Sequence, residues 1–223
     1  CEARCRRNML DNPINIRGLK RYAVDQAGIV KPQANAASTG KKVAVVGGGP
    51  GGLSAAYYLQ QMGHQAVVFE KRKKLGGMLR YGIPNYRLPR ARLDEEIQTL
   101  LSTGIEVHTE VSIGDDIPLC DLDRDYDAVY LSIGAQTDKK VGIPGEDGVN
   151  VISAVEMLRN IGDDIMPDFE GKRVIVIGGG NVAMDVARSA KRLGAAKVGI
   201  AYRRRKQDMT ALGEEIERAF EEV

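Results

Sequence analysis

Two stretches of the chain share one pattern of hydrophobic and polar residues. Short apolar runs at 43–46 and 174–177 have the length expected of buried parallel strands, and each leads into a glycine-rich turn and a helical pattern. The helical patterns end at corresponding glycines, Gly63 in the first stretch and Gly194 in the second. The pattern therefore predicts two strand–turn–helix units of one design.

The remaining pattern predicts further strands and helices in alternation. A loop at 75–84, broken by glycine and proline, separates the first unit from a charged helix and two more strands. Such alternation favours an α/β fold with a parallel sheet and helices on both faces. The further elements predicted are helices near 16–26, 90–103 and 214–220, and strands at 66–70, 105–109, 128–133 and 198–202.

The same pattern divides the chain into four segments. They are 1–40, 41–140, 141–171 and 172–223. The first ends in a small-residue linker at 33–40, the second and fourth each hold one strand–turn–helix unit, and the third resembles a connector. Because the chain starts at Cys1 rather than Met and stops within a helical pattern at Val223, we expect it to be part of a longer polypeptide. The second unit would then be incomplete.

Each turn has the sequence Gly-x-Gly-x-x-Gly or Gly-x-Gly-x-x-Ala, a fingerprint of dinucleotide binding. The first glycine permits a tight turn, the second lets the backbone approach a pyrophosphate, and the third small residue lets helix pack on strand. These positions are Gly47, Gly49 and Gly52 in the first turn, and Gly178, Gly180 and Ala183 in the second. The pyrophosphate would lie at a helix N-terminus, where unpaired N–H groups favour an anion. Glycine-rich turns without a nucleotide are the alternative, which the repetition disfavours.

The residues that follow the second strand of each unit differ. Glu70 ends the strand of the first unit, where an acid accepts hydrogen bonds from an adenosine ribose. The second unit has no acid there, and the basic run 203–206 comes next. Arginines grip a 2′-phosphate with charge-assisted hydrogen bonds, so Arg203 and Arg204 predict NADP(H) at the second site. A solvated surface or a nucleic-acid patch is the alternative for this run.

Composition favours a soluble enzyme. The 32 basic and 30 acidic residues nearly cancel, so no nucleic-acid partner is indicated. We also expect no membrane partner, because no apolar stretch has the ~20 residues that span a bilayer. Three cysteines offer no disulfide framework, which favours a reducing cytoplasm.

Taken together, these motifs resemble those of a known family, the small (β) subunit of NADPH-dependent glutamate synthase. Its relatives include the reductase half of dihydropyrimidine dehydrogenase and NADPH–ferredoxin oxidoreductase subunits. The motifs that carry the resemblance are the two fingerprints, Leu-Gly-Gly-Met-Leu-Arg-Tyr-Gly-Ile-Pro-Asn-Tyr-Arg-Leu-Pro at 75–89, Leu-Ser-Ile-Gly-Ala at 131–135, Tyr-Arg-Arg at 202–204 and Met-Thr-Ala at 209–211. The stretch at 82–89 is the most specific, because glutathione-reductase-type flavoproteins lack it.

The resemblance implies a Rossmann-like FAD-binding domain with a Rossmann-like NADPH domain inserted into it. The residues implied for FAD are Gly47, Gly49, Pro50, Gly51, Gly52, Glu70, Gly76, Gly77, Leu79, Arg87, Val111 and Gly134. Those implied for NADPH are Gly178, Gly180, Asn181, Val182, Ala183, Arg203 and Arg204. In the relatives the chain returns to the FAD domain after the NADPH domain. This sequence ends before that return, so we expect 1–223 by itself not to be a competent enzyme.

The N-terminal cysteines resemble the end of the family's helical iron–sulfur domain. Cys1 and Cys5 would be two ligands of a 4Fe–4S cluster in the full-length protein. Ordinary thiols are the alternative. Lys20 stands where several relatives have Gln or Glu as a ligand, which leaves the number and type of clusters open.

The reaction implied by the resemblance passes electrons from NADPH through FAD to iron–sulfur clusters and a partner active site, like that of the glutamate synthase large subunit. Ferredoxin as acceptor, or a non-catalytic nucleotide-sensing or assembly module, are the alternatives. No acid–base side chain is expected in the central step. We assign no role to His64, His108 or Cys120. We expect Cys120 to lie in an acidic loop.

Overall fold

The computed structural model describes residues 2–223, which fall into two compact units that divide after Gln33. Cys1, one of the two predicted cluster ligands, lies outside the described residues. Across the described chain, none of the helices combines the length and the apolar character needed to cross a bilayer.

The first unit is helical. Helix α1 spans Ile16–Ala27, so the helix predicted near 16–26 is confirmed. Asn15 caps it, because the side-chain oxygen accepts a hydrogen bond from the Gly18 N–H at 2.9 Å. Two short turns of 3-10 helix precede α1, at Glu2–Arg4 and Arg6–Met9.

The second unit begins with a lobe built on a four-stranded sheet, which we call the first lobe. Its strands are β1 (Lys42–Val46), β2 (Gln65–Glu70), β3 (Glu106–Thr109) and β4 (Ala128–Leu131). Its helices are α2 (Pro50–Gln61), α3 (Met78–Tyr81), α4 (Arg90–Leu101) and α5 (Leu119–Asp125). All strand pairs are parallel and the order is β3-β2-β1-β4. The predicted parallel sheet is therefore confirmed.

The two central strands are buried on both faces, which explains their continuous apolar runs. Val45 and Val68 face one layer, where they pack with Leu53 of α2 and Leu93 of α4. The alternate residues, such as Val67, face the opposite layer. The carboxyl ends of β1 and β2 are thereby held rigidly where the first glycine turn begins.

The second lobe carries the second glycine turn on a smaller sheet. Its strands are the parallel pair β5 (Arg173–Ile177) and β6 (Lys197–Ala201), and its helices are α6 (Ala154–Gly162), α7 (Asn181–Arg192) and α8 (Gly213–Glu222). A turn of 3-10 helix, Lys206–Asp208, precedes α8. Val176 is buried toward the core, whereas Ile175 and Ile177 are 74% and 58% exposed on the opposite face.

Helix α6 lies within the segment expected to be a connector. Ser153 caps it by accepting the Glu156 N–H at 3.1 Å, and its apolar residues Met157 and Leu158 are buried in the core of the second lobe.

The end of α6 contacts the first lobe. Arg72 forms an ion pair with Asp163 at 2.8 Å, and Lys74 forms one with Asp164 at 2.7 Å. Helix α6 therefore belongs to the core of one lobe and is fastened to the other.

Two further local expectations, besides the one that α6 overturns, differ from the structure. Cys120 lies in helix α5 and not in a loop, because the segment follows Pro118, has an acid in its first turn and buries Leu122. The loop predicted at 75–84 contains the single helical turn α3. In both places the short helix buries an apolar side chain in the first lobe, Leu122 in α5 and Tyr81 in α3.

Candidate dinucleotide-binding sites

The first glycine turn is too tight for side chains at two of its positions. Gly47 has a φ of 109°, and a Cβ there would lie 2.3 Å from the Ser132 carbonyl oxygen. A Cβ at Gly52 would lie 1.9 Å from the Gly47 carbonyl oxygen. Helix α2 begins after Gly49 with Pro50 in its first turn, so its first N–H groups point out of the helix toward an anion site.

A second glycine pair lies against this turn. The Gly76 N–H donates to the Gly48 carbonyl at 2.9 Å. Gly77 has a φ of 50°, and a Cβ there would lie 2.6 Å from the Gly49 Cα. Leu79 follows, partly buried against the core of the first lobe. The structure thus brings together residues predicted for FAD from two separate loops.

Glu70 is buried at the end of β2 beside the same turn. One carboxylate oxygen accepts the Gly48 N–H at 2.7 Å, and the other accepts the Arg72 N–H at 2.8 Å. Each oxygen keeps a lone pair for a further donor, such as a ribose hydroxyl. Val111 lies next to it, because its N–H donates to the Glu70 carbonyl at 3.0 Å. These two predicted residues are neighbours.

The residues after β4 also approach the turn. A Cβ at Gly51 would lie 2.7 Å from the Ser132 hydroxyl, and the exposed Gly134 follows with a φ of 67°. Ser132 thus lies against the turn, a contact that the sequence analysis did not predict.

Arg87 differs from the other residues predicted for FAD. Its guanidinium lies 2.7 Å from the Asp185 carboxylate and 3.5 Å from the Glu215 carboxylate, both in the second lobe. The contact with FAD that the resemblance implies for Arg87 stays a prediction. Asp185 and Glu215 were missed by the sequence analysis; the signal was an acid among the apolar positions of α7 and of α8.

The second turn is less crowded than the first. Gly178 has a φ of 142°, and a Cβ there would meet only the Ala183 side chain, at 3.4 Å. A Cβ at Gly180 would lie 3.6 Å from the Thr210 hydroxyl. Alanine in place of the third glycine is therefore accommodated, and helix α7 begins after Gly180 as predicted.

Asn181 and Val182 occupy different surroundings. The Asn181 side-chain oxygen accepts the Leu212 N–H at 2.9 Å, and the Ala211 N–H donates to the Gly179 carbonyl at 3.0 Å. These bonds hold the segment before α8 against the turn. Val182 is exposed beside it.

Strand register places Tyr202 where the first lobe has Glu70. Phe69 pairs with Val46 in the first lobe, and Ala201 pairs with Ile177 in the second, so the next residue is the counterpart in each. The second site therefore has no acid at the position of Glu70.

The basic run 203–206 follows directly after Tyr202. A Cβ at Gly179 would lie 2.7 Å from the Tyr202 ring, so the ring packs against the turn and places the following arginines beside it. Arg205 is paired with Asp208. Arg203 and Arg204 are exposed and form no ion pair within the described part of the chain.

Cys5 is the candidate cluster ligand that the structure describes. Hydrogen bonds from the backbone N–H groups of Ile14 and Arg7 lower the pKa of its thiol, which favours the thiolate that binds metal. Cys5 and Cys120 are both free. No group of three or more His, Cys, Asp or Glu side chains suited to a metal ion occurs within residues 2–223.

Comparison with known proteins decides the class. The family described as pyridine nucleotide-disulphide oxidoreductase matches residues 41–223, most of the chain and both turns. The chain belongs to this family. The membership agrees with the family of oxidoreductases that the sequence resembles.

The relatives confirm the resemblance recognised in the sequence. The chain is 40% identical to the NADP(+)-dependent formate dehydrogenase subunit beta of Moorella thermoacetica, over 97% of this chain and 34% of that protein. It is 36% identical to the glutamate synthase [NADPH] small chain of Escherichia coli, over 100% of this chain and 50% of that protein. The chain spans a third to a half of the length of these relatives.

A solved structure agrees on the fold. FprA from Mycobacterium tuberculosis in complex with NADPH matches with a TM-score of 0.67 at 24% identity, over 82% of this chain and 48% of that chain. The α/β fold class with two Rossmann-like lobes is confirmed.

Proposed function

We propose that this chain is the nucleotide-binding part of an NADPH-dependent flavin oxidoreductase, with FAD at the first turn and NADPH at the second. One observation carries the assignment. Two strand–turn–helix–strand units of the same design end in a buried acid, Glu70, in one lobe and are followed by the exposed cations Arg203 and Arg204 in the other. Membership in the oxidoreductase family supports this pair of cofactors.

The first site fits FAD. Side chains at Gly47 and Gly52 would clash with backbone carbonyls, so the glycines permit the tight turn that brings the backbone and the N–H groups at the N-terminus of α2 toward a pyrophosphate. The buried Glu70 carboxylate has acceptor capacity left for the adenosine ribose. Val111 beside it would contact the adenine.

The second site fits NADPH. Helix α7 begins at a glycine turn that remains open at Gly180, and Arg203 and Arg204 are exposed at the carboxyl end of β6. Two unpaired guanidinium groups suit a 2′-phosphate, whereas a carboxylate would repel it.

The chemistry that the bound cofactors would supply is hydride transfer from NADPH to FAD, followed by release of electrons one at a time from the reduced flavin. The residues of this chain would bind the two dinucleotides and orient them toward each other. The glycine turns fix the two pyrophosphates, and the rigid strand ends fix the turns. No side chain is assigned to proton transfer.

The path beyond FAD is part of the proposal. Cys5, with its stabilised thiolate, would be one ligand of a 4Fe–4S cluster that passes electrons to an accepting subunit. The relatives are named as subunits or small chains, which supports a partner protein. As the electron acceptor we favour a partner like the large subunit of glutamate synthase over ferredoxin. We place the reaction in a reducing cytoplasm.

The test uses protein expressed from the complete gene. We expect one FAD per chain, and we expect NADPH to bleach the flavin absorbance in the absence of oxygen. A nucleotide-sensing module would bind NADPH without bleaching, which would refute the proposed oxidoreductase.

Cofactor preference gives a sharper prediction. Arg203→Ala combined with Arg204→Ala should lower kcat/KM for NADPH and leave kcat/KM for NADH nearly unchanged. The expected loss of transition-state stabilisation with NADPH is about 1–3 kcal/mol for each charge-assisted hydrogen bond that is removed. Lys197→Ala is the matched control, because Lys197 is an exposed cation at the other end of β6. Equal losses with both cofactors would contradict the assignment.

A further inference from the structure

The segment between α3 and α4, residues 82–89, extends from the first lobe onto the second. The Tyr86 hydroxyl donates to the Asp185 carbonyl at 3.3 Å, and its ring lies beneath the guanidinium groups of Arg188 and Arg192 at 4.5 and 4.1 Å. Burial raises the pKa of Tyr86 to about 12, so the hydroxyl keeps its proton at neutral pH. Tyr86 is thus wedged against α7.

Arg87 inserts between two buried acids. Its guanidinium pairs with Asp185 of α7 at 2.7 Å and with Glu215 of α8 at 3.5 Å, and both acid side chains are only 5% exposed. Arg188 completes the group by pairing with Glu215 at 3.1 Å. We call Arg87, Asp185, Glu215 and Arg188 the interlobe cluster. Two further charged residues border it, because Glu222 pairs with Arg188 at 2.8 Å and Arg218 lies 3.7 Å from Glu215.

We do not expect the cluster to add much stability, because burying its charged groups costs solvation free energy. Burial raises the pKa of Asp185, and the positive charge of Arg87 opposes that shift. One oxygen of Asp185 is buried and has no hydrogen-bond partner among the described residues. A buried ion pair of this kind is weak evidence for stabilisation, whereas removing one partner leaves an uncompensated charge. A role for the cluster in selecting one arrangement of the lobes would account for buried charges that add little stability.

The elements joined by the cluster are those that carry the two sites. Helix α7 starts at the second glycine turn and presents Asp185 one turn later. Arg87 follows α3, which begins directly after Gly77 of the first site. The Arg87–Asp185 contact therefore joins the chain segment that follows the first site to the helix that begins at the second.

We propose that Arg87 and Asp185 are positioning residues that set the distance between the two dinucleotides. The inference rests on the proposed function, because it concerns how the nicotinamide and flavin rings are brought together. Arg87 acts through the second lobe in this proposal and not by binding FAD.

The experiment compares Arg87→Ala, Arg87→Lys and Asp185→Asn in protein expressed from the complete gene. Flavin content, the dissociation constant of NADP⁺, the change in flavin absorbance on adding NADP⁺, and the single-turnover rate of flavin reduction are measured. We expect unchanged flavin content and unchanged NADP⁺ affinity. The absorbance change should be reduced, and the reduction rate of Arg87→Ala should fall by up to about 100-fold, the cost of an ~1 Å misplacement of reacting groups.

Arg87→Lys keeps the charge but cannot reach both acids as a planar fork does, so its rate should lie between those of wild type and Arg87→Ala. This variant also preserves the test if Arg87→Ala fails to fold. Arg124→Ala is the control, because Arg124 also pairs with two acids, Asp121 and Asp125, but on the surface of α5. It should behave as wild type.

Two results would overturn the proposal. Loss of flavin from the Arg87 variants would make Arg87 a flavin contact, and a wild-type absorbance change and reduction rate would leave it without a positioning role. Failure of the proposed function is distinguishable. If wild-type protein binds no flavin, the midpoints of thermal unfolding of the single and double variants still test the cluster, because purely additive effects would show that Arg87 and Asp185 are not coupled.

Discussion

Gly52→Ala is expected to lower the free energy of unfolding by about 3 kcal/mol or more and to abolish flavin binding, at the upper end of the cost of overpacking. The added Cβ would lie 1.9 Å from the Gly47 carbonyl oxygen and 3.2 Å from Val45. The Gly47 backbone cannot retreat easily, because its N–H is bonded to the Phe69 carbonyl at 2.8 Å. Denaturant unfolding and flavin content measure the two effects.

Gly51→Ala is the matched control for stability. It adds the same methyl group to the same helix, but the nearest atom is the Ser132 hydroxyl, which can rotate away. We expect a much smaller loss. If the two variants unfold alike, the crowding at Gly52 does not determine the stability of this turn.

Glu70→Ala is expected to cost about 2–6 kcal/mol, since two N–H donors lose their acceptor at about 1–3 kcal/mol each. These donors are the amides of Gly48 and Arg72, which the carboxylate joins across the turn. Flavin content should fall, and the preference for NADPH should not change, because the second lobe has its own turn.

Glu106→Ala is the control for Glu70→Ala, because Glu106 is a half-exposed carboxylate on the adjacent strand β3 and contacts His108. It should keep its flavin and its stability. Undiminished flavin in folded Glu70→Ala would refute the role of Glu70 at the ribose.

The parts of the site that the sequence predicted are the local ones. Residues close together in the sequence determine the glycine turns, their flanking strands and the contrast between Glu70 and the arginines. Each of these features has its own steric or electrostatic reason. The parts it did not predict depend on distant contacts. The pairing of Arg87 with Asp185 joins two lobes, and nothing near either residue indicates its partner.

Helix α6 was missed for a related reason. Its apolar residues Met157 and Leu158 look ordinary in a short segment, and their burial becomes apparent only when α7 lies beside them. Asn181 shows the opposite case: its position was predicted, but its side-chain oxygen is engaged by the Leu212 N–H. Position within a motif did not reveal what the side chain contacts.

The placement of α6 decides how the second lobe could be transplanted. A chimera joined at residue 172, just before β5, would leave α6 behind and remove Met157 and Leu158 from the core of the transferred domain. We therefore expect an exchangeable module to begin upstream of Ser153, whose hydroxyl caps α6. A recipient scaffold would also need cations where Arg72 and Lys74 stand, to meet Asp163 and Asp164.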